Sequence, residues 1–194
     1  MTALALGCSH TAGVGIDPAD CYVSVLSTML DTLIINQGVG GGNAGHVQSN
    51  LVQALKQPQS LDFVIAQWPN PFRRTTWYND RSCSENINSS GKAFEQLLRD
   101  GKKNFYQPWI DSILVCNLLC KATAIPIVNI MIEDVPTEYH DMLAVEKIVL
   151  HVDRKLPNET WLMDNKANDN LHHSAICHKQ WAERLIGLIN ELAP

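Results

Sequence analysis

The chain has 194 residues, 45% of them hydrophobic, which suits one domain with a packed core and is short for two. The formal net charge of -5 and the isoelectric point of about 5.7 argue against a nucleic-acid partner, since proteins that coat nucleic acid are strongly basic. No apolar run approaches the ~18 residues of a membrane span, and the apolar start lacks the basic region of a signal peptide. We therefore expect a cytoplasmic protein that has no membrane partner.

The first half of the chain alternates short apolar runs with helical patterns. The predicted strands are ALAL (3–6), TLIIN (32–36) and LDFVIAQW (61–68), and the predicted helices span 17–31 and 44–56. Asp17 and Pro18 are typical of a helix start, because aspartate caps the first turn and proline fits its first position. The third strand is apolar on both faces, as a central strand of a parallel sheet is.

The second half is less regular. We predict a short helix at 92–100, a buried helix at 108–122, a strand at 125–132 and a closing helix at 175–192, while 144–152 fits either strand or helix. Strands that alternate with helices through short turns predict an α/β domain over 1–194. Its expected form is a three-layer α/β/α sandwich around a central, mostly parallel five-stranded sheet of the flavodoxin-like kind.

Three polar or glycine-rich loops follow predicted strands directly, at 7–13, 37–45 and 69–74. In parallel sheets, ligands bind outside the carboxyl ends of the strands. We therefore expect these three loops to meet at one edge of the sheet and to form the functional site there.

The residues near this edge suit nucleophilic acyl transfer. That reaction needs a hydroxyl beside an imidazole base, an acceptor that orients the base, and donors for the developing oxyanion. Ser9 lies just past the first strand, and Asp169 precedes His172 by three residues, a spacing that lets the carboxylate touch the imidazole. Oxyanion donors are available from the Ser9 amide, the glycines at 38–42 and the Asn70 side chain. The sequence thus predicts Ser9 as nucleophile, His172 as base and Asp169 as its orienting group.

Four segments resemble, in chain order, the characteristic blocks of the SGNH (GDSL-type) hydrolase superfamily, especially its compact bacteriophage and bacterial members. They are GCSHTAG (7–13), NQGVGGG (36–42), VIAQWPN (64–70) and DNLHHS (169–174). Cys8 stands where the family usually has aspartate. The resemblance implies an α/β ester hydrolase that works through an acyl-enzyme and needs neither a metal nor an organic cofactor.

The same resemblance implies the oxyanion donors. It identifies Gly41 as the oxyanion glycine, with Gly40 as runner-up, and Asn70 as the oxyanion asparagine, with Asn79 as a rival.

The segment 71–110 is basic and aromatic, with seven lysines and arginines against four acidic residues. Because it follows the third block, we predict that it walls the site, with Arg73, Arg74 and Trp68 as substrate-binding residues. Rings beside basic groups suit a small-molecule or carbohydrate ester, such as a sugar O-acetyl group. The alternative is an ordinary solvated insertion with buried rings.

Other interpretations remain open. Cys8 is a second candidate nucleophile, and the three histidines His172, His173 and His178 are candidate metal ligands with Asp169 and Cys177 nearby. The glycine loop resembles a phosphate cradle only weakly, because it lacks the lysine of a P-loop. An acyltransferase to a sugar or nucleotide acceptor, or a non-catalytic binding module on the same scaffold, are the alternative functions.

Overall fold

The computed structural model describes residues 1–58, 60–78, 81–86, 103–132, 149–151 and 172–192, together with 135, 139, 143, 167 and 169. The strands are β1 (Thr2–Gly7), β2 (Leu33–Gly38), β3 (Phe63–Trp68), β4 (Arg73–Tyr78), β5 (Arg81–Asn86), β6 (Ile127–Met131) and β7 (Val149–His151). The helices are α1 (Ser9–Ala12), a 3₁₀ turn (Pro18–Asp20), α2 (Tyr22–Met29), α3 (Ala44–Leu55), α4 (Lys103–Ala122) and α5 (Ala175–Leu192).

The main sheet runs in the order β2, β1, β3, β6 and β7, and every neighbouring pair is parallel. Four of these strands have five or six residues, and β7 adds three residues at one edge. Counted within this sheet, the order is 2-1-3-4-5, as in flavodoxin-like folds. The register pairs Gly7 with Gly38 and Leu6 with Ala66, so the carboxyl ends of β1, β2 and β3 lie together.

Helices cover both faces of the sheet, so the predicted three-layer fold class is confirmed. Successive side chains of a strand point to opposite faces, and β1 accordingly contributes Ala3 and Ala5 to one core layer and Leu4 and Leu6 to the other. The first layer is closed by α2 and α5, and the second by α3 and α4.

The cysteines follow this division into two layers. Cys21 and Cys177 belong to the α2–α5 layer, Cys116 and Cys120 to the α3–α4 layer, and Cys8 lies at the end of β1. These five cysteines, the ones whose side chains the structure describes, are all buried and free.

The region 17–31 differs from its prediction. Asp17 caps the first turn as expected, with its Oδ1 accepting from the Ala19 amide at 2.9 Å. The helix is then interrupted, because Cys21 has an extended backbone (φ -61, ψ 137), and α2 begins only at Tyr22.

The region 71–107 also differs, because β4 and β5 form an antiparallel hairpin that the sequence analysis did not anticipate. The helix predicted at 108–122 begins earlier, at Lys103, and encloses Pro108. The predicted helix at 92–100 lies outside the described residues. Among the described helices, none is both long and apolar enough to cross a membrane.

Candidate active site

Ser9 is the first residue of α1, the single helical turn that follows β1. The backbone of Cys8 is extended (φ -96, ψ -152), Ser9 opens α1, and Gly13 ends it in the left-handed region at φ +72. This strand-turn-helix passage places Ser9 at the carboxyl edge of the sheet. The Ser9 side chain is 4% exposed, and its Oγ lies 3.9 Å from Cys8 Sγ.

Asp169 and His172 form the hydrogen-bonded pair that their spacing predicts. Asp169 Oδ2 lies 2.5 Å from His172 Nδ1, and Asp169 Oδ1 accepts from the His172 backbone amide at 3.0 Å. The carboxylate thus holds both the ring and the backbone of the histidine. A carboxylate only accepts hydrogen bonds, so Nδ1 carries the proton and Nε2 is the basic nitrogen.

The first loop of the chain contacts this pair. Gly15 has a left-handed backbone (φ +86), and a Cβ placed there would lie 2.8 Å from Asp169 Oδ2. The ring of His10, the residue after Ser9, lies 5.5 Å from the ring of His172 between centroids and 4.5 Å from that of His173. The segments near Ser9 and His172 therefore meet, although these two residues are 163 positions apart in the sequence.

The other histidines near this contact are held neutral. Burial lowers the pKa of His10 to about 2, with the neighbouring His173 and His172 adding to the shift. Burial likewise lowers the pKa of His173 to about 4 and that of His178 to about 4. His178 is fully buried, and its Nδ1 accepts from the Tyr22 amide at 3.1 Å. Within the described ranges, no three His, Cys, Asp or Glu side chains are grouped as metal ligands would be.

The glycine-rich loop after β2 is close to the same edge, since the Val39 amide donates to the Gly7 carbonyl at 2.9 Å. Gly41 is exposed, has a left-handed backbone (φ +70), and has nothing within 4 Å of the place where a Cβ would stand. Gly40 is exposed as well. The loop therefore leaves open space beside Gly41.

Asn70 lies in the loop that follows β3. Its Oδ1 accepts from the Phe72 amide at 2.8 Å, and its carbonyl accepts from the Arg73 amide at 3.1 Å. Arg73 reaches back to the glycine loop, with Nη1 donating to the Gly42 carbonyl at 3.2 Å. The rival Asn79 lies outside the described residues.

Trp68 does not line the site, which corrects the substrate contact predicted for it. Its side chain is fully buried in the α3–α4 layer, and its Nε1 donates to Asn129 Oδ1 at 2.8 Å. Trp68 shares this layer with Val64 and Ala66 because the pleat of β3 directs alternate residues to the same face. Arg74 belongs to β4, and its side chain is outside the described part of the structure.

The sequence analysis did not identify two residues that contact the predicted catalytic segments. Gly15 lies against Asp169, and Gln67 accepts hydrogen bonds from the residues on both sides of Ser9–His10. Gln67 stands in a strand that is otherwise apolar, and this polar residue in a buried run is the signal that could have indicated it.

Solved structures of esterases share this fold. Esterase EstA from Pseudoalteromonas sp. is 13% identical with a TM-score of 0.62, and the match covers 98% of this chain and 97% of that one. A protein assigned to the G-D-S-L lipolytic family from Desulfitobacterium hafniense is 15% identical, with a TM-score of 0.61 and coverage of 96% and 98%. The acetyl xylan esterase Est2A from Butyrivibrio proteoclasticus is 15% identical, with a TM-score of 0.60, and the match covers 99% of this chain and 64% of that one.

No protein-family model matches the sequence, and no curated protein matches it significantly. At these identities the likeness establishes the fold, which is the fold that the four sequence segments imply.

Proposed function

We propose that this chain is an SGNH-type serine esterase in which Ser9, His172 and Asp169 form the catalytic triad. The observation that carries the proposal is the pair of hydrogen bonds that His172 donates to Asp169, in a segment that meets the Ser9 loop at the carboxyl edge of the sheet. The fold that the chain shares with solved esterases supports the same reaction class.

In the proposed reaction, Ser9 Oγ attacks the ester carbonyl carbon while His172 Nε2 takes the hydroxyl proton. Asp169 keeps the tautomer that leaves Nε2 basic, and its charge stabilises the imidazolium that forms. His172 then protonates the leaving alcohol, which releases it and leaves an acyl group on Ser9. Water, deprotonated by the same Nε2, attacks the acyl-enzyme and restores the free serine.

Three donors are proposed for the oxyanion: the Ser9 amide, the Gly41 amide and the Asn70 side chain. The hydrogen bond from Phe72 to Asn70 Oδ1 supports this role, because it orients the side-chain amide so that its NH₂ group is the donating end. The Arg73–Gly42 contact joins the two loops that carry Gly41 and Asn70. Each such donor is typically worth about 10²–10³ in turnover.

The proposed substrate is a small-molecule or carbohydrate ester with a short acyl group, such as an O-acetylated sugar. A similar structure is an acetyl xylan esterase, which favours this class. Arg73 and Arg74 remain the proposed substrate-binding cations, with no membrane or nucleic acid required and no metal or organic cofactor in the chemistry.

Ser9→Ala tests the nucleophile. We expect turnover of p-nitrophenyl acetate to fall by about 10³-fold or more, because no other hydroxyl replaces the attacking group. Initial rates and circular dichroism of the purified variant measure activity and folding together.

Ser112→Ala is the matched control, since Ser112 is also buried and its Oγ donates to the Pro108 carbonyl within α4. It should keep wild-type turnover. A fluorophosphonate probe should label the wild type and the control but not Ser9→Ala. Unchanged turnover in Ser9→Ala would remove Ser9 from the mechanism.

A further inference from the structure

Gln67 is fully buried in β3, and its side-chain oxygen accepts three donors from the segment that carries Ser9. Gln67 Oε1 lies 3.0 Å from the Cys8 amide nitrogen, 3.3 Å from Cys8 Sγ and 3.1 Å from Thr11 Oγ1. Cys8 and Thr11 stand on either side of Ser9, so one acceptor fixes the turn before and after it. We propose that Gln67 is a positioning residue that holds the nucleophile turn against β3, an inference that rests on the proposed function of Ser9.

The hydrogen bonds around Gln67 have a definite direction. Thr11 has one hydroxyl proton, and a carbonyl oxygen can only accept, so this proton goes to Gln67. The bond of 3.0 Å between Thr11 Oγ1 and Tyr22 Oη is therefore donated by Tyr22. Burial raises the pKa of Tyr22, which keeps its hydroxyl protonated and able to donate.

The network continues into the element beside the base. The Tyr22 amide donates to His178 Nδ1 at 3.1 Å, and His178 belongs to α5, which begins three residues after His172. A hydrogen-bonded path thus runs from α5 through α2 to Thr11 and Gln67. Gln67 is the end of this path that contacts the residues flanking Ser9, namely Cys8 and Thr11.

The orientation of the Gln67 amide is determined by its partners. With the amide reversed, its NH₂ group would face the Cys8 backbone amide, which places a donor against a donor. The oxygen must therefore face the turn. Within the described residues, Gln67 Nε2 is buried with no hydrogen-bond partner. An apolar side chain would avoid the cost of burying this unpaired NH₂ group, so we attribute the glutamine at this position to the accepting oxygen that an apolar side chain lacks.

Cys8 fits the same arrangement. A thiol can donate to the Gln67 oxygen, whereas an aspartate at this position would set a carboxylate oxygen against a carbonyl oxygen. The pairing with Gln67 therefore accounts for cysteine at a position where the similar family blocks have aspartate.

Gln67→Met tests the inference, because methionine has a similar length and no strong acceptor. We expect kcat for p-nitrophenyl acetate to fall by about 10- to 100-fold with KM changed by less than about two-fold, since a displacement of about 1 Å at a reacting atom costs this much. Amide hydrogen exchange at Cys8 should become faster in the same variant. Gln67→Glu restores an accepting oxygen, because burial keeps its carboxyl group protonated, and should recover most of kcat.

Thr11→Val is a milder variant that removes one of the three donors, and it decides the question if Gln67→Met does not fold. We expect its kcat to fall by about three- to ten-fold. Thr32→Val is its matched control, since Thr32 is also buried and its hydroxyl donates to the Leu30 carbonyl, before β2 begins. The control should keep wild-type kcat.

The outcomes separate this inference from the proposed function. Wild-type protein without esterase activity or fluorophosphonate labelling contradicts the proposed function, and Cys8 exchange then decides the role of Gln67. Equal Cys8 exchange in the wild type and Gln67→Met overturns the inference at any level of activity. If the wild type is active and Gln67→Met has the same kcat, the inference about Gln67 is overturned as well. If Gln67→Met does not fold, an unchanged kcat in Thr11→Val overturns the inference instead.

Discussion

Gly15 is the residue of the loop after Ser9 whose backbone lies against the Asp169 carboxylate. Its φ of +86 is a conformation that side-chain-bearing residues rarely adopt, and a Cβ there would lie 2.8 Å from Asp169 Oδ2 and 3.1 Å from Ala167 Cβ. Glycine thus allows the loop after Ser9 to lie directly against the carboxylate that holds His172.

Gly15→Ala should displace Asp169 and strain the loop. We expect esterase turnover to fall by about ten-fold or more, and the free energy of unfolding to fall by about 1–2 kcal/mol. Urea titration and initial rates measure the two effects.

Gly187→Ala is the matched control, because Gly187 lies inside α5 with nothing within 4 Å of the added Cβ. This control should raise the free energy of unfolding by about 0.5–1 kcal/mol and leave turnover unchanged. If Gly15→Ala behaved like Gly187→Ala, the close contact with Asp169 would be refuted.

The closing helix α5 is the element that supports His172, the proposed base. Its buried apolar side chains recur at helical spacing and pack onto the sheet and α2; they are Cys177, Trp181, Ala182, Leu185 and Ile189. His172 precedes this helix by three residues, so packing of α5 determines where the imidazole lies.

Leu185→Ala should remove buried contacts from this layer. Leu185 is 1% exposed, and we expect the free energy of unfolding to fall by about 2–5 kcal/mol. Leu118→Ala in α4, at a side chain 63% exposed, should change it by less than about 0.5 kcal/mol. Similar losses in both variants, measured by chemical denaturation, would mean that α5 is not packed as described.

The spacing of apolar residues predicted those elements whose apolar side chains pack into the core. The apolar positions of α5 and the continuous apolar run of β3 have unambiguous patterns, and both elements lie where the sequence placed them. The β4–β5 hairpin was missed because RRTTWY and RSCSEN show no apolar face. The break at Cys21 was missed because a helical pattern does not reveal a single extended residue.

At the scale of the whole molecule, the parallel arrangement of the strands made it predictable that the loops after β1, β2 and β3 lie at one edge of the sheet. Parallel strands place their following loops at one edge, so Ser9, the glycine loop and Asn70 could be grouped from sequence alone. The contacts that join distant positions could not be, since nothing in the spacing relates Gly15 to Asp169. The burial of Trp68 was also missed, because a strand apolar on both faces does not show which side a terminal tryptophan takes.

One fully buried histidine and two half-buried ones also make stability depend on pH. The pKa values of His10, His173 and His178 are lowered by burial to about 2, about 4 and about 4, below the ordinary 6.5 of the unfolded chain. At pH values between the lowered pKa of the folded state and the 6.5 of the unfolded chain, the unfolded state binds more protons than the folded state. The free energy of unfolding therefore falls as pH decreases.

We therefore expect the free energy of unfolding to decrease steadily from pH 7 to pH 4.5. A fully buried histidine such as His178 contributes up to about 1.4 kcal/mol per pH unit once pH is below 6.5. His10→Phe, which cannot take up a proton, should make the decrease shallower. Urea titrations at several pH values measure the slope, and a flat profile would contradict neutral, buried imidazoles.

The distribution of free thiols between the two core layers provides a way to observe each layer separately. Burial raises the pKa of Cys21 in one layer, and raises the pKa of Cys116 and Cys120 to about 12 in the other, which suppresses the reactive thiolate in the folded chain. The rate of alkylation at these cysteines is then limited by the local unfolding that exposes each thiol. Rates resolved by peptide mass spectrometry would show which side of the sheet loosens first when the protein is warmed.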